Sequence, residues 1–169
     1  MTMPTELFRR LDLDRLYLPA CEAFLQLADN CRSRGVDYFA ISGYRSLTEQ
    51  AALYFQGRLQ PGKIVTYARP GLSWHNYGLA VDFCRDKDVE RRGLQPSWEK
   101  DDYAVLGEEA AKIPGLEWAG NWAKHFRELP HVQFRVRGAT LQDSMRIYED
   151  GNQSLPAVWA QYDELRSAQ

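Results

Sequence analysis

Two histidines and two acidic residues lie in two short segments of the 169-residue chain. The first segment, Ser-Trp-His-Asn-Tyr-Gly-Leu-Ala-Val-Asp at 73–82, separates His75 from Asp82 by six residues. The second places Glu128 three residues before His131. Two imidazoles, one carboxylate ligand and a spare carboxylate are what a catalytic zinc site uses, with an open position for water and a general base beside it. The pattern therefore favours a zinc-dependent hydrolase.

The residues around these side chains predict how they are positioned. The sequence after Gly78 alternates as in a strand, which puts apolar side chains on one face and Asp82 on the other. Gly78 is expected to take the turn into this strand, where a side chain would clash. The residues from His131 to Phe134 alternate in the same way, so His131 shares a face with Gln133. His75 lies in the loop before the turn, and we expect it to fold back towards Asp82.

Spacing alone leaves a structural interpretation of these residues open. A histidine before an apolar strand is commonly a hydrogen-bonded core or surface residue. A carboxylate such as Asp82 inside an apolar strand is different, because a buried carboxylate needs a partner or a metal ion. The third histidine, His125, is expected to be structural or exposed rather than a ligand.

Beyond these motifs, the chain resembles the zinc D-Ala-D-Ala carboxypeptidase and dipeptidase family, which shares its metal site with the hedgehog signalling domain. The resemblance is greater to the L-alanyl-D-glutamate peptidase branch, known from phage endolysins and bacterial cell-wall lytic enzymes. It extends over residues 36–135. The matching segments are 42–46, 49–50, 53–54, 56–58, 61–66, 73–83, 118–122 and 130–131. A match of this length with ordered spacing is more specific than one motif.

The resemblance implies a role for each candidate residue. It implies that Zn²⁺ is bound by three side chains, His75, Asp82 and His131. Glu128 is then the catalytic base, and Arg45 matches the arginine that stabilises charge on the scissile carbonyl. Ser73 matches a serine that contacts substrate near the metal. Glu128 departs from the aspartate often found there in the endolysin branch and agrees with the carboxypeptidase branch.

The implied activity is hydrolysis of peptidoglycan stem peptides, at the L-Ala–D-Glu bond, in cell lysis. The alternative is a D-Ala-D-Ala carboxypeptidase or dipeptidase, which the identity of Glu128 favours. A zinc-stabilised binding module is the non-enzymatic alternative. Such a module needs neither a base nor a charge stabiliser, so the presence of Glu128 and Arg45 favours the enzyme. A phage and a bacterial origin both stay open.

The composition indicates which classes of partner the protein binds and in which compartment it is made. A net charge of -2 and a pI near 5.9 argue against binding to nucleic acid or anionic membranes. No apolar run approaches the roughly 20 residues of a transmembrane helix, and the N-terminus lacks the pattern of a secretory signal. The cysteines, Cys21, Cys31 and Cys84, are expected to be reduced thiols. We expect a monomer made in the cytoplasm; the resemblance implies release to the wall by a holin-type partner.

The length predicts a single catalytic domain over 1–169, with a core at about 36–135 and a C-terminal helical tail at about 139–169. We predict an α+β fold in which a small antiparallel sheet carries the zinc site and helices flank it. The predicted strands are 36–42, 79–84, 116–118 and 131–136, and the predicted helices are 16–34, 47–56, 101–113, 139–149 and 154–167. Ser46 and Glu49 predict a capping box. The charged segment 85–97 is predicted to be a surface loop, and the tail is expected to pack on the core.

Overall fold

A computed structural model describes Phe8 and residues 11–87 and 95–168 of the chain. Its strands form one antiparallel sheet in the order β1–β2–β5–β4, with β3 paired to the end of β2. The strands are β1 Asp37–Ser42, β2 Ala80–Asp86, β3 Pro96–Ser97, β4 Leu116–Trp118 and β5 His131–Phe134. Helices flank this sheet, so the predicted α+β class is confirmed.

The helices follow the predicted order. They are α1 Leu18–Ser33, α2 Leu47–Phe55, α3 Ala104–Ala110, α4 Leu141–Asp150 and α5 Leu155–Ser167. The capping box of α2 is confirmed, because the Ser46 hydroxyl accepts from the Glu49 N–H at 3.2 Å and the Glu49 carboxylate accepts from the Ser46 N–H at 2.8 Å. Helix α3 starts later than predicted, after a 3-10 turn over Lys100–Tyr103. Within the described ranges, no helix is long and apolar enough to cross a membrane.

The main core lies between α1 and one face of the sheet. Phe24 and Leu27 of α1 are fully buried, and the ring of Phe24 packs edge-on against Phe83. Val81 and Phe83 of β2 and Val132 of β5 are also fully buried, which confirms the predicted core face of each strand. Each such side chain stabilises the fold by about 1.5–3 kcal/mol. The opposite face of β2 and β5 is thereby directed away from α1.

The charged segment 85–97 is not the plain surface loop that we predicted. Strand β2 continues to Asp86, which is buried, and Pro96–Ser97 pairs with it as β3. Arg85 forms an ion pair with Asp102. These partners compensate charges that, in the sequence alone, indicate exposure to solvent. The part of the predicted loop at 88–94 lies outside the described residues.

The C-terminal tail packs on the core, as expected. Helix α5 buries Val158 and Tyr162 completely. The indole N–H of Trp159 donates a hydrogen bond to the backbone carbonyl of Tyr77 at 2.9 Å. The tail therefore supports the turn that carries His75.

The three cysteines are buried, and none forms a disulfide within the part of the chain that the structure describes. Burial raises the pKa of Cys31 to about 12, which keeps this thiol protonated and unreactive. That the three cysteines are reduced stays a prediction.

Candidate metal centre and substrate cleft

The structure brings His75, Asp82 and His131 together. Nε2 of His75 lies 3.3 Å from Oδ1 of Asp82 and 3.2 Å from Nδ1 of His131. Nδ1 of His131 lies 3.1 Å from the same Asp82 oxygen. One atom from each side chain thus forms a nearly equilateral triangle, and both histidines are buried.

The size of this triangle fits a zinc ion. Zinc binds imidazole nitrogen and carboxylate oxygen at about 2.0–2.2 Å, so two ligand atoms of a tetrahedral site lie about 3.3–3.6 Å apart. The observed separations of 3.1–3.3 Å are within a few tenths of an ångström of that range. Two neutral imidazoles and one carboxylate are also a donor set that zinc accepts.

Strand pairing explains why Asp82 meets His131. The two residues are direct partners across the antiparallel β2–β5 ladder. Directly opposed residues have Cβ atoms about 4.5–5.5 Å apart, and both side chains here lie on the face that points away from α1. The sequence predicted the face of each residue, and the register between the strands places them opposite one another.

A 3-10 turn over Trp74–Tyr77 delivers His75 to the same point. The turn ends at Gly78, whose φ of 70° is left-handed. A Cβ at Gly78 would lie 2.3 Å from the carbonyl oxygen of Arg15, so no other residue fits this close approach. The predicted role of Gly78 is confirmed.

Hydrogen bonds orient both imidazole rings. Nδ1 of His75 donates to the carbonyl oxygen of Gly43 at 2.7 Å, which leaves Nε2 free to bind a cation. Nε2 of His131 donates to Oε1 of Gln133 at 3.2 Å, which leaves Nδ1 free. Sequence reasoning placed Gln133 on the face of His131 but gave it no function. The spacing of two residues along one strand was the available signal.

The cluster perturbs the pKa of two of its members. Burial acts to raise the pKa of Asp82, but the neighbouring His75 and His131 outweigh it and hold that pKa well below its usual range. Burial acts to lower the pKa of His131, but the hydrogen bond and the charge of Asp82 raise it above its usual value. Asp82 therefore stays ionised, while His131 holds its proton to a higher pH than a free histidine does.

Glu128 lies at the edge of the triangle rather than in it. Its Oε2 is 4.0 Å from Nδ1 of His131, and about half of its side chain is exposed. This position suits a base that acts on a molecule bound at the three ligand atoms. His125, by contrast, is exposed, lines the cleft and stands apart from the ligand triangle, as expected.

Arg45 is fixed beside Asp82. Its Nη1 donates to Oε1 of Gln50 at 2.9 Å, and its Nη2 donates to Oγ of Ser42 at 3.1 Å. The same Nη2 lies 3.5 Å from Oδ2 of Asp82. Ser73 is buried at the start of the turn that carries His75 and lines the cleft, and its hydroxyl does not cap that turn. Both residues therefore line the cleft at the candidate metal site.

Two grooves meet at the triangle. The larger groove, a cavity of about 610 Å³, includes Arg45, Ser73 and Trp122 in its lining. The smaller groove, of about 500 Å³, includes Trp98 and Tyr103. Both are also lined by the same five residues at the centre, Val65, Asp82, Arg127, Glu128 and His131. The candidate metal site thus lies where the two grooves meet.

Two tryptophans near the site have different roles. The ring centroid of Trp122 lies 5.4 Å from that of His131, and its indole N–H donates to Glu117 at 2.5 Å. Trp122 therefore forms a wall of the larger groove beside a candidate ligand. Trp118 donates to the carbonyl of Leu129 at 2.7 Å and packs closely on Gly120, so it supports the backbone before β5.

Comparison with known proteins places these features in a family. The model of the VanY D-alanyl-D-alanine carboxypeptidase family matches residues 14–127, more than half of the chain. This span contains Arg45, Ser73, His75 and Asp82 and stops just before Glu128.

One curated relative is the peptidoglycan L-alanyl-D-glutamate endopeptidase CwlK of Bacillus subtilis (strain 168). The two sequences are 44% identical over 108 residues, which cover 60% of this chain and 62% of CwlK. The matched region is thus less than two thirds of the length of that relative.

Two solved structures show the same fold. The L-Ala D-Glu endopeptidase ChiX of Serratia marcescens superposes with a TM-score of 0.51 at 24% identity, covering 74% of this chain and 84% of ChiX. A variant of the vancomycin resistance D,D-pentapeptidase VanY, in complex with Zn(II), superposes with a TM-score of 0.50 at 20% identity. The match covers 83% of this chain and 82% of the VanY chain. The family match and the shared fold agree: this chain belongs to the VanY D-alanyl-D-alanine carboxypeptidase family.

Proposed function

We propose that the chain is a zinc peptidase that hydrolyses peptidoglycan stem peptides between L-Ala and D-Glu. The observation that carries the proposal is the triangle of ligand atoms from His75, Asp82 and His131, with sides of 3.1–3.3 Å, at the centre of a cleft. The similarity to CwlK supports the choice of substrate and of bond.

The residues around the triangle divide the chemistry between them. When bound there, zinc would polarise the scissile carbonyl and make water a stronger nucleophile. Glu128 takes the proton of the attacking water and delivers it to the leaving amine of D-Glu. Arg45 stabilises the negative charge that develops on the carbonyl oxygen. Ser73 contacts the peptide backbone in the larger groove.

The extent of the cleft favours an endopeptidase. An endopeptidase must hold substrate on both sides of the bond that it cuts, and two grooves that meet at the candidate metal site offer space for both halves of such a substrate. A carboxypeptidase instead has to recognise a free C-terminal carboxylate. D-Ala-D-Ala carboxypeptidase or dipeptidase activity is the second candidate, favoured by Glu128 and by the name of the matching family.

A zinc-stabilised binding module is the non-enzymatic alternative. It would need the three ligands and nothing more. The positions of Glu128, at 4.0 Å from Nδ1 of His131, and of Arg45, at 3.5 Å from Asp82, favour catalysis because both groups adjoin the space in front of the ligands.

Mass spectrometry of digested peptidoglycan tests the proposal. The zinc-loaded protein should leave glycan strands bearing lactyl-L-Ala and release peptides with a new D-Glu N-terminus. The matched control is Glu128→Gln, which keeps the size of the side chain and removes its basicity. Loss of only the terminal D-Ala would replace the proposal with a carboxypeptidase. No cleavage by protein that holds zinc would favour the binding module.

The same resemblance extends the proposal to lysis. The chain would act as one catalytic domain, as a monomer, on the wall of the cell that made it, after release from the cytoplasm by a holin-type partner. Host cells should then tolerate its expression and lyse when their membrane is permeabilised. Lysis without permeabilisation would contradict this part of the proposal.

A further inference from the structure

The smaller groove has an exposed aromatic side chain that the proposed chemistry does not use. Trp98 lines this groove together with Tyr103 and Leu129. It is 54% exposed, whereas the ring of Tyr103 beside it is almost fully buried. An indole face open to a cleft is a binding platform for a flat apolar surface.

The backbone on which Trp98 sits is firmly anchored. The preceding residue, Ser97, is paired with Arg85 in the β2–β3 ladder, and its hydroxyl donates to the buried carboxylate of Asp102. Asp102 also forms an ion pair with Arg85, and its backbone carbonyl accepts a hydrogen bond from Tyr38 at 2.5 Å. Side-chain and strand contacts thus fix the base of Trp98, which lowers the entropic cost of binding at its ring.

The charges of the two grooves orient the proposed substrate. Arg45 lines the larger groove and not the smaller one, whereas Arg127 lines both. The peptide after the scissile bond carries the free carboxylate of D-Glu, which a fixed guanidinium binds well. That half of the substrate therefore fits the larger groove, and the half before the bond fits the smaller one.

Only L-Ala and a lactyl group separate the scissile carbonyl from the muramic acid ring. At about 3.5 Å per residue, the ring begins roughly 7 Å from the reacting carbon. We infer that the smaller groove is a saccharide subsite in which the indole of Trp98 stacks on the N-acetylmuramic acid ring. This inference rests on the proposed function and adds that the enzyme recognises the glycan as well as the peptide.

Paired substrates test the inference. The values of kcat/KM are measured with zinc-loaded protein for one stem peptide in two forms, carrying either N-acetylmuramic acid or a simple N-acetyl group. The wild type should prefer the muramyl form. Trp98→Ala should reduce this preference about fivefold or more, and Trp98→Phe should retain most of it. The matched control is Phe55→Ala, an exposed ring outside both grooves, which should leave the preference unchanged.

A binding measurement separates failure of this inference from failure of the proposed function. Saturation-transfer NMR with the peptide-free disaccharide of N-acetylglucosamine and N-acetylmuramic acid needs no turnover. The disaccharide should bind the zinc-loaded wild type and Phe55→Ala, and should lose binding to Trp98→Ala at an unchanged melting temperature. Equal binding to Trp98→Ala, or none to the wild type, would overturn the subsite. Cleavage of a different bond, with disaccharide binding intact, would overturn only the proposed function.

Discussion

Replacing Gln133 with leucine isolates the contact that orients one metal ligand. Oε1 of Gln133 accepts the hydrogen bond from Nε2 of His131 at 3.2 Å, and the side chain is buried. Leucine has a similar volume but no acceptor. The imidazole of His131 then loses its preference for the tautomer that carries its proton on Nε2. In that tautomer Nδ1, the atom that faces Asp82, has no proton and can bind a metal ion.

The size of the effect follows from this geometry. Loss of a hydrogen-bond partner behind a metal-binding histidine costs about 10–100-fold in metal affinity, which is about 1.4–2.7 kcal/mol. The backbone of Gln133 pairs with Ala80 and Glu117, and leucine leaves both ladders intact. We therefore expect the metal-free protein to keep its fold. Competition with a chromogenic chelator should show zinc affinity reduced by that factor.

Two further variants make the result interpretable. Gln133→Glu keeps an acceptor at His131 and should bind zinc at least as well as the wild type. Gln60→Leu is the same substitution at an exposed position and should have no effect. Unchanged zinc affinity in Gln133→Leu would show that the contact does not orient the ligand.

Three further predictions follow from the same geometry. Glu128→Gln should retain zinc while its turnover falls about 10²–10⁴-fold, measured on purified peptidoglycan; a near-normal rate would mean another base. Because the pKa of His131 is raised and that of Asp82 is held low, zinc must displace a proton from His131. Chelator competition should therefore show affinity falling at least about tenfold per pH unit below that pKa, and a flat profile would contradict this. Trp159→Phe removes the 2.9 Å hydrogen bond to Tyr77 and should lower the free energy of unfolding in urea by about 1–2 kcal/mol; an unchanged value would refute its supporting role.

The ligand triangle was predictable because strand alternation fixes which face a residue occupies. Asp82 and His131 each share a face with small or polar neighbours, and the two are direct partners across the β2–β5 ladder. Gly78 marked the turn that folds His75 back, because only glycine fits its left-handed conformation next to Arg15. In these cases the local sequence pattern was sufficient to predict where the side chain lies.

Features that depend on distant partners were not predictable. The continuation of β2 to Asp86 was missed because its charge is compensated by tertiary contacts, and β3 is too short to leave a pattern. The contact of Trp159 with Tyr77 spans 82 residues of chain. The function of Gln133 depends on a side-chain contact, which alternation along a strand does not specify.

Titration of the metal-free protein with zinc tests the central claim most directly. Peptidoglycan hydrolysis should be absent after chelation, rise linearly with added zinc and stop rising at one zinc per chain. His131→Ala should show neither tight zinc binding nor recovery of activity. Full activity in protein from which zinc has been removed, or tight zinc binding by His131→Ala, would contradict the assignment of the metal site.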